Sequence, residues 1–354
     1  MNQKLKIGII GTGTIGRVHA DAYAANPAEA QIEALCDVRA EAVAAEAEKY
    51  KVPQQFTDYR QLLKSDVDAV SVCVGNALHR DVAVAALKAG KHVLLEKPMA
   101  MNSKEAAEIV AAMKKSGKVL QIGMVTRQHA EVQLARKMVE EGVLGDVYHI
   151  RVVLLRRRGI PGMGGWFTTK SMSGGGPLID VGVHYFDAAM FVAGLWNPTA
   201  VSSNTYAKFG PLMKKYRYVS MWAGPPNFKG VFDVEDYATG YVRFGKAASM
   251  SFEVSWAVNA EDENYIEILG SKAGVRLLDG KPLKLVTEYK EQVADVMLQY
   301  QKTPNIFHVQ AKKFLAACRR EAPPAATAEQ GCTVMKLIDA IYESGRKNSE
   351  VKIS

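Results

Sequence analysis

The chain has 354 residues and is 48% hydrophobic, which allows two domains with separate cores and excludes a disordered chain. No apolar run approaches the roughly eighteen residues of a membrane span, and the first strand pattern lies too near Met1 for a signal peptide, so we expect a cytoplasmic protein with no membrane partner. The formal charge of +8 is dispersed without a basic tail, which predicts no nucleic-acid partner.

The cysteines and histidines do not form a metal-binding pattern. No two of the four cysteines form a CxxC pair, and none of the seven histidines belongs to an HExxH motif. We therefore expect buried, reduced thiols and no metal ion.

Residues 1–125 alternate short apolar runs with helical segments, which is typical of βαβ units and a parallel sheet. Strands are predicted at 5–10, 32–36, 69–74, 92–95 and 119–122, and helices at 40–50, 79–89 and 103–116. We therefore expect this domain to be a Rossmann domain that binds NAD or NADP.

A glycine-rich turn, GTGTIG, follows the first predicted strand. Gly11, Gly13 and Gly16 have the spacing of a dinucleotide-binding turn, and Thr14 and Ile15 lie inside it. Such a turn lets a pyrophosphate approach the main chain at the N-terminus of the following helix. We assign all of these residues to cofactor binding.

The acidic residue expected at the end of the second strand is Asp37. Its carboxylate would accept hydrogen bonds from the adenosine ribose and repel a 2′-phosphate, which favours NAD over NADP. Arg39 weakens that preference, because a guanidinium can receive the phosphate. Asp37, Val38 and Arg39 are thus predicted cofactor contacts, with NADP as the alternative cofactor.

Residues 126–354 show longer strand-like runs. A helix is predicted at 129–141, and strands at 147–156, 199–207, 237–244, 247–257 and 264–269. This pattern predicts a second, substrate-binding α/β domain with a large open, mainly antiparallel sheet. Helical periodicity returns at 305–347, and we expect these helices to pack back on the Rossmann domain.

The segment 208–230 contains several aromatic residues without a clear period. Long loops in compact domains are usually functional or disordered, and the aromatic content argues against disorder. Two interpretations stay open: the loop lines the substrate cleft, or it packs against a partner subunit.

Two further segments contain candidate catalytic residues. Glu96 and Lys97 follow the strand at 92–95, at the edge where open α/β sheets bind ligands. Later, three glycines and Pro177 precede an apolar run, which predicts a helix with Asp180 and His184 four residues apart on one face. A histidine paired with a carboxylate behind a glycine-rich entry favours function over core packing.

These motifs resemble the Gfo/Idh/MocA oxidoreductases. The resemblance rests on GTGTIG, on Glu96-Lys97-Pro98, on GGGPLIDVGVH at 174–184, and on the strand end at 73–76 with His79, and it covers nearly the whole chain. It implies a Rossmann domain joined to an α/β domain with an open sheet, NAD or NADP as cofactor, a sugar or cyclic polyol as substrate, and a homodimer or homotetramer.

The resemblance also assigns roles to single residues. Lys97 corresponds to the active-site lysine, and Asp180 and His184 to the substrate-binding and acid/base group. Predicted cofactor contacts extend to Val74, Asn76, His79, Glu96 and Lys97 itself, although Val74-Gly75-Asn76 departs from the Thr-Pro-Asn of many members. Predicted substrate contacts are Arg156 and Arg158, which strand alternation puts on one face, and Trp166.

The function predicted on these grounds is hydride transfer between a nicotinamide and a secondary hydroxyl of a pyranose sugar, sugar derivative or cyclic polyol. The alternatives are a myo- or scyllo-inositol 2-dehydrogenase, an NADPH-linked sugar reductase, and a non-catalytic dinucleotide-binding regulator.

Overall fold

The computed structural model describes residues 3–218, 221–278 and 280–353, and its backbone falls into two units. The first consists of the chain up to Gln128 together with Pro304–Cys332, and the second of His129–Thr303 together with the chain from Thr333 onward. The sequence predicted one boundary, at 125/126. The C-terminal segment instead contributes to both units.

Within the described part of the first unit, six parallel strands form one sheet in the order β3-β2-β1-β4-β5-β6. The strands are β1 (Leu5–Ile10), β2 (Ala30–Cys36), β3 (Gln54–Phe56), β4 (Ala69–Val72), β5 (His92–Leu95) and β6 (Leu120–Ile122). The strand order reverses between β1 and β4. Their carboxyl ends therefore flank the crevice where open α/β sheets bind ligands.

Helices flank this sheet and complete the predicted Rossmann fold, which is confirmed. They are α1 (Thr14–Ala24), α2 (Ala40–Tyr50), α3 (Tyr59–Leu62), α4 (His79–Lys88) and α5 (Ser103–Ser116), with 3₁₀ turns at Asn76–Leu78 and Val125–Gln128. The sequence missed β3, because three residues containing two glutamines show neither an apolar run nor an alternation.

The described strands of the second unit form a nine-stranded sheet in the order β14-β13-β12-β11-β7-β10-β9-β8-β15. They are β7 (Val147–Leu155), β8 (Ala200–Tyr206), β9 (Tyr237–Phe244), β10 (Ala248–Ser255), β11 (Glu263–Gly270), β12 (Gly274–Leu277), β13 (Lys284–Tyr289), β14 (Gln292–Met297) and β15 (Val351–Lys352). Strands β7 and β10 run parallel, and the other described pairs run antiparallel, so the predicted mainly antiparallel sheet is confirmed.

Helices α6 (Ala130–Glu140) and α8 (Val183–Ala193) pack on this sheet. The unit also contains α7 (Lys170–Ser173), a π-helix at Leu178–Gly182 and 3₁₀ turns at Trp166–Thr168 and Gly210–Leu212. Helix α8 packs on β7 and β11, where Ile150, Val152 and Leu154 are buried. The positions between them, His149, Arg151 and Val153, are half-buried or exposed and face away from this core, as the period of a half-buried strand requires.

The C-terminal segment forms α9 (Ile306–Cys318) and α10 (Ala328–Lys347), with Pro323 and Pro324 between them. Phe314 and Leu315 of α9 join the hydrophobic core of the first unit, next to α1. Residues of α10 from Thr333 onward belong to the second unit.

Candidate functional site

The glycine turn between β1 and α1 has the shape that a dinucleotide requires. Gly11 has φ +95°, and a Cβ there would lie 2.3 Å from the Cys73 carbonyl oxygen. A Cβ on Gly16 would lie 1.9 Å from the Gly11 carbonyl oxygen, so both glycines are needed for close packing. Gly13, by contrast, faces open space. The main chain there is accessible to a pyrophosphate, with Thr14 and Ile15 beginning α1 just beyond.

Asp37 lies beside this turn. Its Oδ2 accepts hydrogen bonds from the backbone N–H and hydroxyl of Thr12, at 2.9 and 3.2 Å, and its Oδ1 accepts from the backbone N–H and Nε of Arg39, at 3.1 and 3.2 Å. Burial raises the pKa of Asp37, but the hydrogen bonds from Arg39 and Thr12 outweigh it and hold the pKa below its usual value. Val38 is exposed.

Glu96 and Lys97 follow β5, and the Lys97–Pro98 peptide bond is cis. Glu96 is buried: its Oε1 lies 2.9 Å from His19 Nε2, and its Oε2 accepts from the Lys97 backbone N–H at 3.2 Å. Burial lowers the pKa of His19, but the contacts with Cys73 and Glu96 outweigh it and raise the pKa. Glu96 thus fixes the backbone that carries the half-buried Lys97, and the cofactor contact predicted for Glu96 stays a prediction.

The turn after β4 is tied to the same loop. His79 is buried, with Nδ1 2.6 Å from the Pro98 carbonyl oxygen and Nε2 3.1 Å from the Val74 carbonyl oxygen. Asn76 is also buried, at the start of the 3₁₀ turn. The His79 imidazole thus links the turn after β4 to the loop after β5, and the cofactor contact predicted for His79 stays a prediction.

In the second unit, Asp180 and His184 do not share a regular α-helix. Asp180 lies in the π-helix, and His184 follows at the start of α8, so the predicted α-helical face is wrong. A π-helix widens the turn and changes the angle between successive side chains. Both residues are half-buried, and Asp180 Oδ2 accepts a hydrogen bond from Trp256 Nε1 at 3.2 Å.

Glu235 caps the glycine-rich entry to this helical segment. Its Oε2 accepts from the Gly176 N–H at 3.0 Å, and its Oε1 accepts from the Leu178 N–H at 3.1 Å and the Tyr342 hydroxyl at 2.9 Å. Burial raises the pKa of Glu235, while these donors act against the increase. One buried carboxyl group therefore satisfies three donors at the helix start that precedes Asp180.

The predicted substrate arginines do not alternate as strand residues. Strand β7 ends at Leu155, before the three consecutive arginines, and Arg158 instead forms an isolated bridge with Ala257. The Arg158 guanidinium donates to the carbonyl oxygens of Arg157 and Val258, at 2.6 and 3.0 Å, and to Asn259 Oδ1 at 2.8 Å. These donors hold the local backbone, and the substrate contact predicted for Arg158 stays a prediction.

The other predicted substrate contacts stay accessible. Arg156 lines a cavity in the second unit, and Trp166 is 40% exposed beside Phe167, with 3.8 Å between the ring centroids.

The aromatic segment 208–230 packs on its own unit over most of its described length; Val219 and Ser220 lie outside the described residues. Phe209 and Tyr216 join a hydrophobic cluster that includes Met163 and the fully buried Trp256. Asp236 anchors the segment by accepting backbone hydrogen bonds from residues 208–210. The segment therefore packs against Trp256, whose indole N–H donates a hydrogen bond to Asp180.

Comparisons with known proteins identify the family. A family model described as "Oxidoreductase family, NAD-binding Rossmann fold" matches residues 5–124, and one described as "GFO/IDH/MocA C-terminal domain" matches residues 132–276. The chain is 32% identical over 353 residues to the D-glucoside 3-dehydrogenase of Escherichia coli K12, covering 99% of this chain and 97% of that protein. The chain belongs to the Gfo/Idh/MocA family.

Two further comparisons agree with this assignment. The levoglucosan dehydrogenase of Pseudarthrobacter phenanthrenivorans is 29% identical over 77% of this chain and 73% of that protein. The crystal structure of an oxidoreductase domain protein from Kribbella flavida superposes with a TM-score of 0.87 at 27% identity, covering 100% of both chains.

The cofactor of this Gfo/Idh/MocA enzyme is NAD. The family description names an NAD-binding fold, and the open main chain at Gly13 and the ionised Asp37 suit that nucleotide. The protein is an NAD-dependent oxidoreductase. Over the described ranges, no helix has the length and hydropathy of a membrane span, and no cluster of three His, Cys, Asp or Glu side chains could hold a metal.

Sequence reasoning missed the residues that support the Gfo/Idh/MocA motifs. His19 lies three positions after Gly16, on the helix that follows the glycine turn. This fixed distance from the motif could have identified it as a supporting residue. Trp256, Glu235 and Tyr342 lie far from Asp180 in sequence and acquire their contacts only through the fold. No local pattern in the sequence marks them.

Proposed function

We propose that this protein uses NAD⁺ to oxidise a secondary hydroxyl group of a pyranose sugar, a sugar derivative or a cyclic polyol. The observation that carries the proposal is the 32% identity to a D-glucoside 3-dehydrogenase over almost the entire length of both proteins. The levoglucosan dehydrogenase relative supports the same substrate class. An inositol 2-dehydrogenase of Salmonella typhimurium matches at 34%, but over only 40% of this chain and 43% of that protein, so a pyranose is favoured over inositol.

Three side chains have the chemistry that alcohol oxidation needs. NAD, when bound, supplies the nicotinamide that accepts the hydride. His184, as a neutral imidazole, accepts the hydroxyl proton. Lys97 has the charge to donate a hydrogen bond to a hydroxyl oxygen and stabilise its developing negative charge, and Asp180 has the carboxylate to accept a hydrogen bond from a sugar hydroxyl and orient the ring.

The supporting contacts agree with these roles. The backbone of Lys97 is held by Glu96, which is itself bound to His19 of α1. Asp180 is oriented by the indole of Trp256. Side chains held in this way increase the rate, because the reactive arrangement does not have to be found at each turnover.

The residues of the glycine turn would hold the dinucleotide, with Asp37 at the ribose. Arg39 already donates two hydrogen bonds to Asp37, which supports NAD over NADP. An NADPH-linked sugar reductase is the alternative, and comparing kcat/KM for NAD⁺ and NADP⁺ distinguishes the two.

The exposed face of the nine-stranded sheet supports a homodimer or homotetramer. On this face Tyr241 and Val286 are 39% and 43% exposed, and apolar sheet faces are usually covered. Light scattering tests this proposal, and a monomeric mass would contradict it.

The function is tested by measuring NADH formation with glycosides, anhydrosugars, aldoses, inositols and uronates. We expect turnover with at least one pyranoside, and NMR of the product would identify the oxidised carbon. Tight NAD binding without turnover on any of these compounds would contradict the proposal and favour a dinucleotide-binding regulator.

A further inference from the structure

A cavity of about 770 Å³ in the second unit has an unusually basic lining. Arg156, Arg157 and Arg158 border it from the chain that follows β7, and Arg217 borders it from the aromatic segment. Its other polar lining residues are Tyr218, Asp262 and Asn264. We call this cavity the arginine pocket. Its volume is in the range of pockets that hold small ligands.

The lining of the arginine pocket carries an excess of positive charge, with four arginines against one aspartate. Among residues 3–218, 221–278 and 280–353, none of the four arginine side chains has a carboxylate oxygen within 4.0 Å. Asp262, the acidic lining residue, accepts a hydrogen bond at Oδ1 from the Arg157 backbone N–H. Like charges gathered in one concave surface repel one another unless an anion enters.

The arginines do not have equivalent surroundings. Arg158 is occupied by carbonyl oxygens, by Asn259 and by the rings of Phe209 and Tyr216. Arg157 and Arg217 are exposed to solvent. Their planar guanidinium groups are therefore the ones available to a ligand, and this geometry suits the paired oxygens of a carboxylate or a phosphate.

The arginine pocket lies next to the structure that orients Asp180. The Gly159 N–H, in the pocket wall, donates to the Trp256 carbonyl oxygen at 2.6 Å, and the indole of the same Trp256 donates to Asp180. Both segments leave the carboxyl ends of the parallel strands β7 and β10, which lie at one edge of the sheet. A ligand that contacts Asp180 with one group can therefore extend another group toward the arginines.

We propose that the arginine pocket binds an acidic group, a carboxylate or a phosphate, carried by the sugar substrate. This inference rests on the proposed sugar oxidation and narrows its substrate class. Tyr218, 41% exposed in the same wall, adds a ring on which the apolar face of a sugar can pack.

The direct test compares substrates that differ only at carbon 6 of the pyranose: methyl glucoside, methyl glucuronide and methyl glucoside 6-phosphate. We expect kcat/KM for at least one acidic compound to exceed that of the neutral glucoside by about 30-fold at low salt, and the advantage to shrink as ionic strength rises. The two acidic compounds distinguish a carboxylate from a phosphate. A neutral glucoside that is oxidised as well as or better than both acidic compounds would overturn the proposal.

Variants of the pocket arginines test whether the preference for acidic substrates arises at this pocket. In the Arg157→Gln/Arg217→Gln double variant, we expect the ratio of kcat/KM between acidic and neutral substrates to fall at least tenfold. Arg243→Gln is the matched control, because this arginine lies in the same unit, outside the pocket, and pairs with Glu350. An unchanged ratio in the double variant would contradict the proposal.

Calorimetric titration with inorganic phosphate and with glucuronate separates this proposal from the proposed function. If no sugar is oxidised but an anion binds the wild type and not the double variant, sugar oxidation fails and the pocket assignment stands. If a neutral sugar is oxidised but neither anion binds the wild type, the proposed function stands and the pocket assignment fails.

Discussion

The indole N–H of Trp256 donates to the Asp180 carboxylate, with 3.2 Å between Nε1 and Oδ2. Trp256 is fully buried in the aromatic cluster beneath the segment 208–230, so its ring cannot follow Asp180 if the carboxylate moves. Asp180 is thereby held by a residue that follows β10, a different element from the helix that carries it.

Trp256→Phe tests this relationship. Phenylalanine keeps most of the ring packing but removes the donor to Asp180, and losing a hydrogen bond to a charged group costs about 1.5 kcal/mol, so we expect about a tenfold lower kcat/KM for the sugar. NAD affinity should be unchanged. The matched control is Trp222→Phe, a 68% exposed tryptophan of the same segment. Equal kcat/KM in both variants would contradict the role of Trp256.

Glu235 is predicted to stabilise the entry to the π-helix. Glu235→Ala leaves the N–H groups of Gly176 and Leu178 and the Tyr342 hydroxyl without their acceptor, so we expect the free energy of unfolding to fall by about 3 kcal/mol. Tyr342→Phe removes only one of these hydrogen bonds and should cost about 1 kcal/mol. Urea denaturation measures both. Equal losses in the two variants would show that Glu235 does not act as the cap.

Asp37 is predicted to set the cofactor preference. In Asp37→Ser, the carboxylate that repels a 2′-phosphate is gone, and Arg39 is released from its hydrogen bonds to that carboxylate. The ratio of kcat/KM for NADP⁺ to that for NAD⁺ should rise by at least about tenfold. Arg39→Ala in the same background should reverse the gain. A ratio that does not change in Asp37→Ser would contradict the assignment.

His92 is predicted to make stability depend on pH. Burial, then the charge of Lys118, lowers the pKa of His92 to about 4, and its Nδ1 accepts a hydrogen bond from the Val119 N–H at 3.0 Å. The fold therefore favours the neutral ring. Its contribution is complete above the unfolded pKa near 6.5 and is lost as pH falls through about 4.

The measurement is urea denaturation at about pH 7 and about pH 4.5. Because the ring is only half-buried, we expect the wild type to lose about 1 kcal/mol more than His92→Gln between these conditions. Identical losses would mean that His92 does not carry the effect.

Local sequence patterns predicted most helices and strands, whereas the contacts that support the candidate site residues form only in the folded chain. The turn from Gly11 to Gly16 could be predicted because the spacing of its glycines is a local pattern, and Gly16 packs against Gly11 within the same turn. The geometry of Asp180 could not be predicted in this way, because the π-helix depends on Glu235, which is more than fifty residues away in the sequence. The shared strand face predicted for Arg156 and Arg158 fails for a similar reason: β7 ends before them, and strand alternation ends with the strand.

The central claim is that Lys97 takes part in oxidising a sugar hydroxyl with NAD⁺, and Lys97→Ala tests it most directly. The measurement is the rate of NADH formation with the best sugar from the substrate screen, alongside the dissociation constant of NAD. We predict that kcat falls by at least about 100-fold while the dissociation constant stays within about twofold of the wild type. A kcat close to that of the wild type, with NAD bound normally, would contradict the account.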